Sequence, residues 1–215
     1  MPSVGKLTFA LILAGAAILV LVVSASGGTP SRGGHASCLP QGAHTLAADD
    51  VAVVFSWHGS IYGCPAATGT RENLGGAGVC NVPGGRVGPV KLARATVAYG
   101  LETCGVDTGS SQVVVRNLTS AKRLADLIAG TLPRLPESFV SVAALVLRRG
   151  GALAWIARDA SIVGQHPPTY EVHRYTAGKS SLLDSGPAID PASLRLAGRR
   201  MTWRHGSATR SSTLP

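Results

Sequence analysis

Charge is scarce in this chain and aromatic side chains scarcer: 14% of the residues are Asp, Glu, Lys or Arg, and 5% are Phe, Trp or Tyr. With 45% of its residues apolar, the chain has ample material for a core, which excludes disorder throughout. None of the four cysteines has a partner two to four residues away, the spacing that structural zinc sites use, so a zinc ribbon is excluded. No Gly-x-Ser-x-Gly elbow, no Gly-rich loop ending in Lys-Ser or Lys-Thr and no His-Glu-x-x-His helix occurs. The six histidines, His35, His44, His58, His166, His173 and His205, are scattered, with no two at metal-ligand spacing. The expectation is no catalytic constellation, no metal and no cofactor. No dense basic run with interleaved aromatics is present either, which argues against nucleic acid as a partner.

Long apolar runs are also lacking, with one exception at the start. Lys6 precedes an unbroken apolar stretch from Leu7 to Val23, followed by the small residues Ser24, Ala25, Ser26, Gly27 and Gly28. A charged start, an apolar run and small residues, in that order, make a signal peptide over residues 1–25, with a cut after Ala25 or Ser26. The alternative is an uncleaved transmembrane anchor through residues 7–23, at the short end of what spans a bilayer. Both place the rest of the chain outside the cytoplasm, secreted or anchored. Residues 26–37 read as a flexible linker, 38–207 as the folded domain and 208–215 as a disordered tail.

Glycine and proline are abundant, 27 and 13 residues, a punctuation that favours many short strands and turns over long helices. The chain also repeats itself. Leu46-Ala47-Ala48-Asp49-Asp50-Val51-Ala52-Val53 aligns with Leu92 to Tyr99 and with Leu196 to Trp203, and Leu147 to Trp155 is a further copy with one residue inserted. Each copy reads as a turn followed by a strand ending on a large side chain. A second strand-like element follows in Ile61–Cys64, Val113–Arg116 and Tyr170–His173. Each of these leads through a turn, Thr68-Gly69, Thr119-Ser120 or Thr176-Ala177-Gly178, to Leu74, Leu124 or Leu183. Two hairpins per unit and starts 46, 55 and 49 residues apart fall in the range of four-stranded propeller blades. Between the second and third units, Ala121 to Ile128 fits a helix face or an outer strand, and the repeat favours the strand.

The unit resembles the blades of bacterial exported β-propeller-like repeat proteins, in which an inner strand of Leu-Ala-Gly-x-x-Val-Ala-Trp type recurs and outer strands are joined by Thr-Gly turns. The resemblance covers about residues 46 to 205. It implies an all-β, antiparallel propeller-like repeat of three complete units plus a partial fourth. A closed ring then needs residues 38–46 to supply a strand to the last unit; a β-sandwich or an open stack of sheets is the alternative.

Export makes Cys38, Cys64, Cys80 and Cys104 disulfide candidates. Three pairings are open to four cysteines, and Cys64 with Cys80 across a Gly-rich loop, leaving Cys38 with Cys104, is the expectation. The aspartates Asp107 and Asp184 sit in Val106-Asp107-Thr108-Gly109-Ser110-Ser111 and Leu183-Asp184-Ser185-Gly186, which resemble the active-site signature of aspartic proteases. They are only 77 positions apart in a short chain, and Asp followed by Thr or Ser and Gly is turn chemistry, so both are expected as turn residues. His58 and His205 are expected at equivalent hairpin tips. With Lys6 removed, 19 basic residues face 11 acidic ones, a net +8 that suits an anionic envelope polymer, though a protein partner fits as well. The functional expectation is a non-catalytic binding or structural module of the cell envelope; the alternative is an extracytoplasmic hydrolase using Asp107 and Asp184.

Overall fold

The computed structural model describes residues 37–78, 80, 85–104, 109–131, 138–161, 164 and 166–215. The leader, Asp107 and nearly all of the 26–37 linker lie outside them. Among the described residues no helix is long and apolar enough to cross a membrane.

Among the described residues every regular element is a strand. Runs such as Ala52–Trp57 and Thr96–Cys104, rich in β-branched and aromatic residues, are buried on both faces, as strands in the middle of stacked sheets must be. Four antiparallel meanders follow one another. The first is β1 (His44–Ala48), β2 (Ala52–Trp57), β3 (Ser60–Pro65) and β4 (Glu72–Gly76). The second is β5 (Arg86–Ala93), β6 (Thr96–Cys104), β7 (Gly109–Asn117) and β8 (Lys122–Ile128), joined to the first by one parallel bridge, Gly76 to Arg86. The third is β9 (Ser138–Leu147), β10 (Leu153–Ser161), β11 (Thr169–Thr176) and β12 (Lys179–Gly186), and the fourth has three strands, β13 (Ile189–Ala197), β14 (Arg200–His205) and β15 (Ala208–Thr213). None of the sheets closes into a barrel.

The repeat read from sequence is the β1–β2, β5–β6, β9–β10 and β13–β14 hairpin in each meander. Its second half is the third and fourth strands. Tight turns set the register. His58 and Gly59 both have positive φ, 47° and 75°, as do Ala177 and Gly178, 49° and 80°, the two-residue turn whose twist matches flanking antiparallel strands. The ladder between third and fourth strands shifts register at Ile61/Tyr62, Val115/Arg116 and Val172/His173, so a bulge recurs with the repeat. Lys122–Ile128 is a strand, as the repeat required.

The core is layered between meanders. Ala52, Val54, Ile61 and Leu74 of the first pack on Val97, Tyr99 and Val114 of the second. Ala98, Val113 and Val115 of the second pack on Val140, Leu153 and Trp155 of the third, and Ala154, Ile156 and Val172 of the third on Ile189, Met201 and Trp203 of the fourth. The other side of the first meander is covered by the segment that leads into β1, where Cys38, Leu39 and Ala43 pack against Val53 and Phe55.

Three expectations are corrected. The disulfides are Cys38–Cys64 and Cys80–Cys104, with Cα–Cα distances of 5.8 and 5.2 Å. In the strand order, β3 with Cys64 lies three strands from β6 with Cys104, so each cysteine reaches only the chain that crosses its own end of the sheet. Cys80 sits beside Cys104, whose backbone N–H donates to the Cys80 carbonyl at 3.1 Å. Residues 208–213, expected as tail, form β15, and Leu214 beyond it is fully buried. Its carbonyl accepts from Arg148 Nη1 at 2.8 Å, and its N–H donates to Arg199 O at 2.7 Å. Finally, residues 44–48 pair with β2 and supply no strand to the fourth meander; among the described residues β15 has no strand on its outer edge.

Candidate functional site

An aromatic residue stands at one recurring position of the second strand, and polar side chains gather around it. In the third meander it is Trp155, fully buried. Its indole N–H donates to the Ala129 carbonyl, just past β8 of the second meander, at 2.6 Å, and its ring stacks on His173 at 4.9 Å. Cross-strand pairing of Trp155 with His173 places the two rings together. His173 Nε2 lies 2.8 Å from Glu171 Oε2, which also accepts from Thr131 N at 2.6 Å, while Glu171 Oε1 accepts from Thr131 Oγ1 at 3.0 Å. Burial pushes the Glu171 carboxyl up, but the donors from Thr131 and His173 outweigh it and hold it below the usual range. Burial lowers His173 in spite of Glu171. The pair is therefore a carboxylate and a neutral imidazole; an ionised carboxylate only accepts, so Nε2 carries the proton.

In the fourth meander the equivalent residue is Trp203. Its Nε1 donates to Asp184 Oδ2 on β12 of the third meander at 2.7 Å. His205 Nδ1 lies 3.1 Å from the same oxygen, and Arg210 Nε lies 3.5 Å away. Burial raises the Asp184 carboxyl, but the Trp203 and His205 hydrogen bonds and the Arg210 charge bring it below normal. In the second meander the equivalent is Tyr99, buried, with its phenol pushed up by burial against the hydrogen bond from Arg116. Arg116 in turn pairs with Glu72 on β4 of the first meander. Each junction thus ties the second strand of one meander to the end of the meander before it. Among the described residues no meander precedes the first, and there the equivalent pair is Val53 and Cys64, closed by Cys38.

This corrects the expectation for Asp184. It is a strand residue of β12 beside a bulge, not a turn residue, and its side chain is 6% exposed. The structure brings Asp184 together with His205, while Asp107 lies outside the described residues. His58 occupies the β2–β3 tip and His205 ends β14, one residue before its own tip, so the expected equivalence holds to within one position. Among the described residues no three His, Cys, Asp or Glu side chains converge at metal-holding distance.

Sequence reasoning passed over Glu171, His173, Glu72 and Arg116. The available signal was period-2 alternation, since Glu171 and His173 share one face of a strand opposite a buried tryptophan.

A different surface holds the charge. Residues 189–215 carry five arginines and one acid, Asp190. Register places Asp190, Arg195, Arg200, Thr202, Arg204 and Thr209 on the face of the fourth meander turned away from Trp203's core. A groove of about 440 Å³ opens there, lined by Asp190, Ser193, Arg195, Thr202, Arg204 and Thr209. Arg204 pairs with Asp190 at 2.6 Å and holds that carboxyl below its ordinary range, and Arg195 donates to the carbonyl of Ala192 at 2.7 Å.

No protein-family model matches the chain, and no curated protein matches it. Among solved structures, a chain of the "Crystal Structure of Mitotic Checkpoint Complex" aligns over 98% of this chain and 76% of its own, with 12% identity and a TM-score of 0.32, a likeness too slight to carry an argument.

Proposed function

We propose that this is an exported, non-catalytic binding or structural module of the bacterial cell envelope, in which the meanders act as propeller-type blades and the terminal arginine-bearing face recognises an anionic envelope polymer. The face with Arg195, Arg200 and Arg204 against one acid, Asp190, opening on a hydroxyl-lined groove, carries this reading. Guanidinium forks suit phosphate and carboxylate groups, and the excess charge draws a polyanion to the surface. Two disulfides suit an oxidising compartment. The four meanders, the shared junction position and the apolar layers between them support the blade reading. Cleavage of the leader puts the mature N-terminus near Ser26 or Gly27, which mass spectrometry of exported protein reads directly.

The functional test is binding of the mature protein to polyglutamate and to a purified phosphate-rich wall polymer, each across a salt series. Binding should weaken steeply with salt and fall about tenfold in the double variant Arg195→Gln, Arg204→Gln. Equal binding by parent and variant, or none by either, refutes the assignment of that face. One observation favours a second reading as a hydrolase: Asp184 orients His205 through Nδ1, the arrangement that readies an imidazole as a base. Hydrolysis of a model ester lost in His205→Gln would support that reading.

A further inference from the structure

Asp159 has no counterpart in the junctions described above. It lies on β10, is 7% exposed, and its Oδ1 is buried without a hydrogen-bond partner. Register sets it opposite Thr169 on β11 and Val140 on β9, with Glu171 one pleat along the same face. Asp159, Thr169 and Glu171 together line a small cavity of about 10 Å³, bordered by Gly130, Val140 and Ala157. That volume admits one water-sized sphere. A β-carbon on Gly130 would stand 3.0 Å from Glu171 Oε2, so the glycine lets backbone reach the carboxylate. One pleat beyond Asp159 on β9, Ser138 Oγ is a second buried oxygen without a partner.

A buried carboxylate oxygen without a partner is unfavourable, and a second carboxylate on the same face makes it more so. We propose that Asp159 and Glu171 hold a single hard divalent cation of the calcium class in this cavity, completed by neutral oxygens from Thr169 and the Gly130 backbone. Two carboxylates match a double positive charge. A donor set made of oxygen alone disfavours zinc and copper, which prefer nitrogen and sulfur, and irregular coordination by carboxylates, hydroxyls and carbonyls suits calcium better than magnesium, which demands an octahedron and keeps its waters. Only two acidic ligands are needed, consistent with the absence of a three-residue acidic or histidine cluster among the described residues.

The test uses the disulfide-intact mature protein stripped with a chelator, and two probes, Ca2+ alone and Tb3+ alone. Trp155 stacks on His173 beside Glu171 and is placed to sensitise Tb3+ emission. The expected result is saturable emission at one Tb3+ per chain, displaced by Ca2+, and a melting temperature raised by roughly 5–10 °C at a hundredfold excess of Ca2+ over its Kd. Asp159→Asn should weaken Ca2+ binding at least tenfold. It should fold without metal, because Oδ1 has no hydrogen bond to lose. Thr169→Val should weaken binding less, and Trp155→Phe should abolish emission while calorimetry still records binding. The proposal is overturned if Ca2+ leaves the melting temperature and calorimetric trace of the parent unchanged, as a trapped water would, or if Asp159→Asn binds as tightly as the parent.

Discussion

The junctions at Trp155 and Trp203 occupy the same place in the repeat and solve the same problem differently. At Trp155 the indole donates to a backbone carbonyl, and a neutral imidazole packs flat against it, with both partners of the Glu171–His173 pair almost wholly buried. At Trp203 the indole donates to a carboxylate, while the His205 and Arg210 side chains around it are 23% and 52% exposed. The inner junction has few charges and excludes water; the outer one gathers charge and stays wet. Position in the stack explains the contrast. At Trp155 the indole, His173 and Glu171 find their partners in one another, Ala129 and Thr131, whereas the junction beside the terminal sheet leaves part of its solvation to water.

The largest effect should separate the two tryptophans. Trp155→Ala removes a fully buried side chain and orphans the Ala129 carbonyl, so it should cost about 4 kcal/mol. Trp203→Ala should cost at least 1 kcal/mol less, since its partner Asp184 keeps His205 and Arg210. Guanidinium denaturation of both variants measures the difference, and equal costs would erase the distinction between sealed and wet junctions.

Next comes the first meander, where a covalent bond stands in place of an aromatic junction. Cys38 and Cys64 are 26 residues apart in sequence, a loop whose closure stabilises by about 3.5 kcal/mol through the unfolded chain. The double variant Cys38→Ala, Cys64→Ala should lose that much stability in denaturant melts. A loss under about 1 kcal/mol would mean that apolar packing of Leu39 and Ala43 on Phe55 secures this end without the bond.

Much of this was legible in the sequence, because the hairpins rest on local signals. Leu46, Leu92, Leu147 and Leu196 mark the repeat, and the Ala177-Gly178 turn announces a two-residue hairpin. Long-range pairing was not legible. Cysteine spacing along the chain says nothing of which strands lie side by side, so Cys64–Cys80 looked reasonable until the strand order placed Cys80 beside β6. The strand Ala208–Thr213 escaped notice because its edge and exposed faces need no hydrophobic alternation: Ala-Thr-Arg-Ser-Ser-Thr reads as tail. Asp184 was misread because Asp-Ser-Gly is turn chemistry, and only the register of β12 shows its side chain directed at Trp203.

A smaller and sharper contrast lies in pH. His173 is held below its ordinary 6.5 by burial, so between that value and its folded-state value the unfolded chain binds the extra proton. Stability should therefore fall as pH drops below 6.5, reaching its full loss once the folded-state value is passed. The carboxylates Glu171 and Asp184, held below 4.5 and 3.8, contribute stability that is complete above those values and disappears as pH falls through their folded-state values. Melting temperatures from pH 8 to 3 should show two separate declines in the parent, and His173→Gln should retain only the acidic one. Persistence of the upper decline in that variant would place its origin elsewhere.

The smallest expected effect concerns Asp184. Asn at this position offers Trp203 the same acceptor through its amide oxygen, so the 2.7 Å indole bond can survive. What is lost is the charge facing Arg210 and the second acceptor facing His205 Nδ1. Arg210 is half exposed and recovers water, and His205 can move its proton to Nε2 so that Nδ1 accepts from the new amide. Asp184→Asn should therefore cost only about 1 kcal/mol, and Asp184→Ala about 2–3 kcal/mol, because alanine leaves the buried indole N–H unpaired. A double-mutant cycle with Trp203→Phe isolates the bond: the Asp184→Ala cost should shrink by about 1 kcal/mol or more when no indole donor is present. A cycle with no coupling would show that Asp184 does not hold the fourth meander through Trp203, leaving its pairing with His205 as the reason for a buried acid at this junction.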